Sequence, residues 1–122
     1  MILRAALSAM LLPGAVQAAR LDCAFTTLCS PQTDCQNHPG VPLSFEVMSG
    51  TLGLFAAEGL VLGTPLSHLT PPAIGALFSV GADGTILLTV SGAGDAVMVQ
   101  TDLLPGDRVR SVSYFGTCEP VA

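Results

Sequence analysis

The sequence of 122 residues contains no lysine and no tryptophan, and only one tyrosine and five phenylalanines. Four arginines stand against nine acidic residues, so the formal net charge is −5. Nucleic-acid binding requires a basic face that contacts phosphates, and this chain cannot build one. Docking on anionic lipid is disfavoured for the same reason. With so few aromatic rings, the chain is also poorly suited to form a stacking platform for sugars or bases.

Residues 1–18 show the order of features that is typical of a secretory signal peptide. Arg4 provides a positive charge, residues 5–12 form an apolar stretch that is interrupted only by Ser8, and Val16-Gln17-Ala18 provides a small-x-small cleavage site. The alternative is a transmembrane anchor, but the apolar stretch is much shorter than the ~20 residues that a spanning helix needs. We therefore expect cleavage after Ala18 or one residue later.

Cleavage would leave residues 19–122 as a single acidic β domain. Its three arginines (Arg20, Arg108 and Arg110) stand against nine acidic residues, which gives a net charge of −6. The longest uncharged run, residues 59–82, contains three prolines and several polar side chains, which exclude a simple membrane-spanning helix. We expect a periplasmic or secreted protein that is soluble and has no membrane span after cleavage.

The four cysteines form an even set in a short exported chain, which predicts two disulfides and no free thiol. Their spacing does not fit a zinc site or a redox pair, in which about two to four residues separate the cysteines. We favour Cys23–Cys118 with Cys29–Cys35, because the first bond would join the first strand to the end of the last. The alternative is Cys23–Cys29 with Cys35–Cys118.

Short segments of alternating apolar and polar residues, separated by turn residues, indicate β-strands along most of the chain. The clearest alternation runs from Val41 to Met48, and the last strand is expected over Arg108–Phe115. Thr27–Gly40 is expected to be a cystine loop, and Thr64–Pro72 to be irregular. With no convincing amphipathic helix, the pattern predicts an all-β fold: a small antiparallel meander that closes as a barrel or sandwich of about seven to eight strands.

Three short segments are typical of tight turns, because their residues tolerate positive φ angles. They are Asp83-Gly84, Gly92-Ala93-Gly94-Asp95 and Leu104-Pro105-Gly106-Asp107. Each lies between two segments that alternate with strand periodicity. They therefore predict that the C-terminal half consists of consecutive hairpins.

Two segments resemble parts of small exported proteins of unknown function from Gram-negative bacteria. They are Asp83-Gly84-Thr85, which precedes a strand, and Ser113-Tyr114-Phe115-Gly116-Thr117-Cys118-Glu119. Those proteins also carry three cysteines near the mature N-terminus and one at the end, and the resemblance covers most of residues 19–122. The resemblance implies a cystine-bearing β domain and does not indicate any activity.

Residues that could form a hydrolytic site are sparse. Ser67 and His68 adjoin each other in a proline-rich loop, and Asp83 or Asp95 could provide a carboxylate. A serine nucleophile needs an oriented base and an oxyanion hole, and the chain has no Gly-x-Ser-x-Gly elbow. A solvated polar loop explains the pair better, so the sequence does not indicate an enzyme.

A metal site could be sought at Asp34, Cys35 and His38, which lie close together in sequence. However, Cys35 is expected to be oxidised, and the chain has only two histidines, whereas a closed zinc site needs about four good ligands. No glycine-rich phosphate cradle precedes a helix. We therefore expect no metal site, no catalytic site and no cofactor.

Binding through surface shape remains as the expected function. The sequence favours a non-enzymatic interaction module whose partner is an unknown protein or small ligand of the cell envelope. One alternative is a proteinaceous inhibitor of an exported enzyme, because Ser91-Gly92-Ala93 is similar to the loop that lysozyme inhibitors insert into the enzyme. The basic residue that accompanies this loop in those inhibitors is missing here, because the chain has no lysine. Another alternative is a small-ligand carrier of lipocalin-like shape. Acidic charge would assist association with a cationic enzyme.

Overall fold

The computed structural model describes residues 20–57 and 59–121, and the expected signal peptide lies outside the described residues. The described residues form one antiparallel sheet and contain no helix, so none is present that could cross a membrane. The nine strands are β1 Arg20–Cys29, β2 Gln36–Met48, β3 Thr51–Ala56, β4 Gly59–Leu62, β5 Thr64–Pro65, β6 Ile74–Val80, β7 Gly84–Val90, β8 Asp95–Leu104 and β9 Arg108–Val121. The predicted all-β fold is confirmed.

The sheet curls into a nearly closed barrel because the first and last strands of the chain, β1 and β9, pair with each other. Its order is β4-β3-β2-β1-β9-β8-β7-β6-β5, and β4 and β5 at the two ends are separated only by Gly63 in the chain. One bent segment therefore links β3 to β6. The barrel therefore has nine strands, or eight when β4 and β5 are counted as a single bent strand, against the seven to eight strands of a barrel or sandwich that the sequence predicted.

Gly63 lets this bent segment lie close to the core. Its N–H donates to the Leu52 carbonyl at 2.9 Å, and its carbonyl accepts a bond from Thr51 Oγ1 at 2.6 Å. A Cβ atom at this position would stand 2.7 Å from the Phe78 ring and 2.8 Å from Ala76. Glycine is therefore required here by the close approach of two strands.

Inward-facing residues of every long strand fill the barrel interior. The largest fully buried side chains are Phe25, Phe45, Phe78, Leu52 and Leu88. The rings of Phe45 and Phe78 have their centroids 5.6 Å apart, and Phe25 packs edge-on against Tyr114 at 6.0 Å. Phe25, Phe45 and Phe78 therefore form the centre of the core.

Successive antiparallel strands place their connections alternately at two ends of the barrel, called here the upper and lower ends. The upper end carries the connections 30–35, 81–83 and 105–107. The lower end carries the connections 49–50, 66–73 and 91–94, and also residues 20 and 121. Two separate surfaces formed by loops therefore exist, and each is considered below.

The cystine loop is shorter than the sequence predicted. Instead of a loop over Thr27–Gly40, β1 continues to Cys29 and β2 begins at Gln36. The register of these strands shifts between Phe25 and Thr27, so residues 38–40 have no directly opposed partner on β1. A bulge of this kind accepts Pro39, which has no N–H for the ladder.

The last strand is longer than predicted, and one turn is displaced. Instead of ending at Phe115, β9 continues to Val121, because β1 pairs with it along the far side. The turn expected at Asp83-Gly84 occupies residues 81–83, and its positive φ of 66° is at Gly81. Gly84 already belongs to β7, where it pairs with Val80 and Asp102.

Candidate functional site

All four cysteines are oxidised, in the favoured pairing. Cys23 and Cys118 are bonded across the β1–β9 ladder, and Cys29–Cys35 closes the loop of residues 30–35. No free cysteine is present among the described residues. Two disulfides are consistent with an oxidising compartment outside the cytoplasm.

The Cys23–Cys118 disulfide determines which residues share the outer surface at the lower end. Because the two cysteines are directly opposed and point inward, their sequence neighbours are opposed and point outward. Asp22 is therefore opposite Glu119, and Ala24 is opposite Thr117. These four residues, together with Cys23, Cys118, Ala93 and Gly94, line a groove of about 350 Å³. We call it the acidic groove.

The connection 91–94 forms one wall of the acidic groove and is held by hydrogen bonds. Ser91 Oγ accepts bonds from the N–H groups of Ala93 and Asp95 at 3.3 and 3.2 Å. The Ser91 carbonyl accepts the Gly94 N–H at 3.0 Å, and the Gly94 carbonyl accepts the Cys118 N–H at 2.8 Å. The Ser91-Gly92-Ala93 segment noted in the sequence is thus fastened to β9 beside the groove.

Gly94 permits this close attachment. Its φ of +97° lies in a region that other residues rarely adopt, and an added Cβ would stand 2.9 Å from the Cys118 carbonyl oxygen. The loop therefore reaches β9 through its backbone. This contact fixes the loop at the edge of the acidic groove.

Asp22 is the best-anchored carboxylate of the acidic groove. It accepts hydrogen bonds from Arg20 Nε at 2.9 Å and from Ser44 Oγ at 3.0 Å. The bond from Arg20, followed by that from Ser44, lowers the pKa of the Asp22 carboxyl below its ordinary value of 3.8. This carboxylate is therefore ionised at neutral pH, and it forms an ion pair with Arg20. Glu119 adds a second carboxylate on the opposite strand.

The hydrolytic residues considered in the sequence do not assemble. Ser67 and His68 lie in an exposed turn at the lower end, whereas Asp83 lies in the 81–83 turn at the upper end. Asp95 is at the lower end, where its N–H and carbonyl hold the 91–94 connection. Among the described residues, no hydrogen bond joins Ser67 or His68 to either carboxylate.

Two of the three residues considered for zinc, Cys35 and His38, have other partners. Cys35 is in the disulfide with Cys29, and His38 Nδ1 accepts the N–H of Gly40 at 3.0 Å. Within residues 20–57 and 59–121, no three His, Cys, Asp or Glu side chains are grouped so that they could hold a metal ion.

Comparisons of this chain with protein-family models, with curated proteins and with solved structures give no match. The geometry of the site therefore carries the functional argument. Sequence reasoning did not single out Asp22 and Glu119, although a signal for them existed. They directly precede Cys23 and follow Cys118, so an antiparallel disulfide pair brings them together.

Proposed function

We propose that the mature chain is a non-enzymatic binding module of the periplasm or the extracellular space, and that the acidic groove binds a basic protein. One observation carries this proposal: the carboxylates of Asp22 and Glu119 share a groove with the hydrogen-bonded wall formed by Ala93 and Gly94. Complementary charge increases the rate of association with a cationic partner and helps to orient it.

The filled interior supports binding on the surface. Phe25, Phe45 and Phe78 occupy the centre of the barrel and have no exposed area. A carrier of lipocalin-like shape would need this volume for its ligand. A partner that contacts the loops and strand edges does not.

The rigidity of the 91–94 connection also supports the proposal. A loop that is already ordered loses little conformational entropy on binding, and this increases affinity. Ser91 provides much of this order, because its hydroxyl and both of its backbone groups are hydrogen-bonded within the loop. Its neighbour Gly94 connects the loop to Cys118 on β9.

The same loop favours a second candidate function, the inhibition of an exported cationic enzyme such as a lysozyme. An inhibitor of this type presents an ordered loop to the enzyme cleft, and the surrounding acidic charge assists the approach. The position of Ser91-Gly92-Ala93 beside the acidic groove favours this candidate. The two functions differ in their consequence for the partner, because only an inhibitor reduces the partner's catalytic activity.

Affinity capture from an envelope extract, followed by mass spectrometry, tests the proposal. The bait is the mature protein, and the test variant is Asp22→Asn/Glu119→Gln. The matched control is Asp34→Asn/Asp107→Asn, which changes the net charge equally but at the upper end. We expect basic proteins that bind the wild type and the control and are lost with the test variant.

Equal retention of these proteins by all three baits would contradict the role of the acidic groove. The captured partner is then purified, and direct binding is measured at low and high salt, because charge-dependent association weakens as ionic strength rises. If the partner is an enzyme, its activity is assayed with added mature protein. A reduced rate identifies the inhibitor, and an unchanged rate identifies the binding module.

A further inference from the structure

Two of the three arginines of the described chain lie at the upper end of the barrel, together with four aspartates, Asp34, Asp83, Asp102 and Asp107. Arg108 and Arg110 lie on β9, where the hairpin of β8 and β9 comes close to the cystine loop of residues 30–35. Together with Gln32, Leu104 and Val109, they line a cleft of about 570 Å³. We call it the upper cleft. It is a separate surface from the acidic groove, which lies at the lower end.

One of the two guanidinium groups in the upper cleft has a carboxylate partner. Arg110 Nη2 contacts Asp102 Oδ2 at 3.2 Å across the β8–β9 ladder. Arg108 donates from Nε to the Pro105 carbonyl at 3.2 Å and forms no ion pair with any described carboxylate, including that of its neighbour Asp107. The bond to Pro105 orients the Arg108 guanidinium and leaves its terminal N–H groups available.

Apolar surface accompanies these charges. Leu104 lines the upper cleft directly opposite Arg108, whereas Val109 (59% exposed) and Leu103 (53% exposed) point to the other face of the β8–β9 ladder. A second hollow of about 160 Å³ lies on the same loop and strand, and its lining includes Leu28 and Val112. The upper end thus combines cationic groups with exposed aliphatic side chains.

Polar contacts separate this surface from the core. Tyr114 donates its hydroxyl to Gln100 Oε1 at 3.3 Å, between the upper end and the buried phenylalanines. The Tyr114 ring packs on Phe25 below it. A ligand at the upper end therefore rests on a formed surface and does not need the core to open.

We propose that the upper cleft binds a small amphipathic monoanion, a carboxylate that carries a short alkyl chain. Arg108 and Arg110 would hold the carboxylate, since the planar guanidinium pairs with this group through two parallel hydrogen bonds. Leu104, which lies directly opposite Arg108 and shares a face with both arginines, would contact the alkyl chain. Among the described residues, the lining of the upper cleft includes two arginines and no carboxylate, and Arg110 is paired with Asp102, so Arg108 is left to pair with a monoanion. The mouths of β-barrels are common positions for ligand sites.

Calorimetric titration of the full mature protein with octanoate tests this proposal. The comparison ligands are octanol, which keeps the chain and lacks the charge, and acetate, which keeps the charge and lacks the chain. We expect octanoate to bind at least about tenfold more tightly than either, because hydrogen bonds to charged groups and burial of the alkyl chain both contribute.

Two arginine variants with the same change in net charge locate the site. Arg108→Gln should weaken octanoate binding by about tenfold or more, because a charge-assisted hydrogen-bond partner is removed. Arg20→Gln is the matched control at the lower end and should leave the affinity unchanged. Leu104→Ser is an independent variant that should weaken octanoate binding without altering the weak interaction with acetate. Circular dichroism and thermal melting confirm that each variant is folded.

Several results would overturn the proposal. If octanol binds as tightly as octanoate, the arginines do not recognise the carboxylate. If acetate binds as tightly as octanoate, the alkyl chain does not contribute to the affinity. An equal loss for Arg20→Gln and Arg108→Gln would indicate non-specific charge attraction, and no binding of octanoate at millimolar concentration would refute the site. The outcome is independent of the acidic groove, because octanoate should not displace a basic protein bound there.

Discussion

Cys23 and Cys118 are directly opposed in the β1–β9 ladder, with their Cα atoms 4.0 Å apart and both side chains in the barrel interior. Their disulfide joins the first and last described strands across a sequence separation of 95 residues. Over Arg108–Phe115 neither face of the last strand is strongly apolar, so burial alone would hold it weakly. In the structure, β9 lies between β1 and β8 and is hydrogen-bonded on both sides.

Removing this disulfide should greatly destabilise the protein. The chain-entropy model gives about 4–5 kcal/mol for a bond that closes a loop of this length. We expect Cys118→Ala to lower the Tm by roughly 15–30 °C or to prevent folding. Thermal denaturation followed by circular dichroism measures the change.

The controls for this experiment are Ser67→Ala and His68→Ala, which alter exposed residues and should shift the Tm by no more than about one or two degrees. If Cys118→Ala melted as close to the wild type as these controls do, the cysteine would not be structural. It would then have to be reconsidered as a functional thiol.

Gly116 should not tolerate a side chain. A Cβ atom at this position would overlap the Ala24 carbonyl oxygen and stand 2.6 Å from the Phe25 Cα atom, and both belong to the backbone of β1. The strands would have to separate, so Gly116→Ala should lower the free energy of unfolding by about 1–3 kcal/mol. Urea denaturation measures this loss, and the exposed neighbour variant Thr117→Ala should lose much less. Equal stability of the two variants would show that the strands can separate without cost.

Asp22 should make stability depend on pH in the acidic range. In the folded protein, the hydrogen bonds from Arg20 and Ser44 lower the pKa of the Asp22 carboxyl below its ordinary value of 3.8. A lowered pKa stabilises the folded protein above the unfolded pKa, and this contribution disappears as the pH falls through the folded pKa. The stability difference between wild type and Asp22→Asn should therefore be constant above about pH 5 and shrink below about pH 4.

Urea denaturation at a series of pH values measures this difference, with Ser44→Ala as a variant that keeps the carboxylate and loses one of its hydrogen bonds. The stability difference between wild type and Ser44→Ala should change less with pH than the difference between wild type and Asp22→Asn. A stability difference between wild type and Asp22→Asn that stays the same down to about pH 2 would contradict the assignment.

The native protein should begin at Ala19. The order of charge, apolar stretch and small residues in positions 1–18 predicts removal of the signal peptide after Ala18. Intact-mass measurement of the protein from its natural host, without reduction, determines both the cleavage position and the number of thiol hydrogens lost. A mass that still includes residues 1–18 would refute export through this signal.

Much of the fold could be read from local patterns, and the exceptions have physical causes. The strand through Val41 and Val47 was evident because apolar and polar residues alternate there with a period of two. The position of Pro39 within β2 was not, because a bulge opposite β1 removes the need for its N–H. The extension of β9 to Val121 was also missed, since pairing with a strand about one hundred residues away leaves no local pattern.

The sequence alone determined the all-β class, the turns in most of their positions, and the number of disulfides. These properties depend on the residues at each position and on their near neighbours. Only the tertiary structure decided that Asp22 faces Glu119 beside the 91–94 connection, and that Arg108 and Arg110 share a cleft with the cystine loop. These groupings depend on the register between strands that are distant in sequence, and a shift of one residue would turn each side chain to the other face.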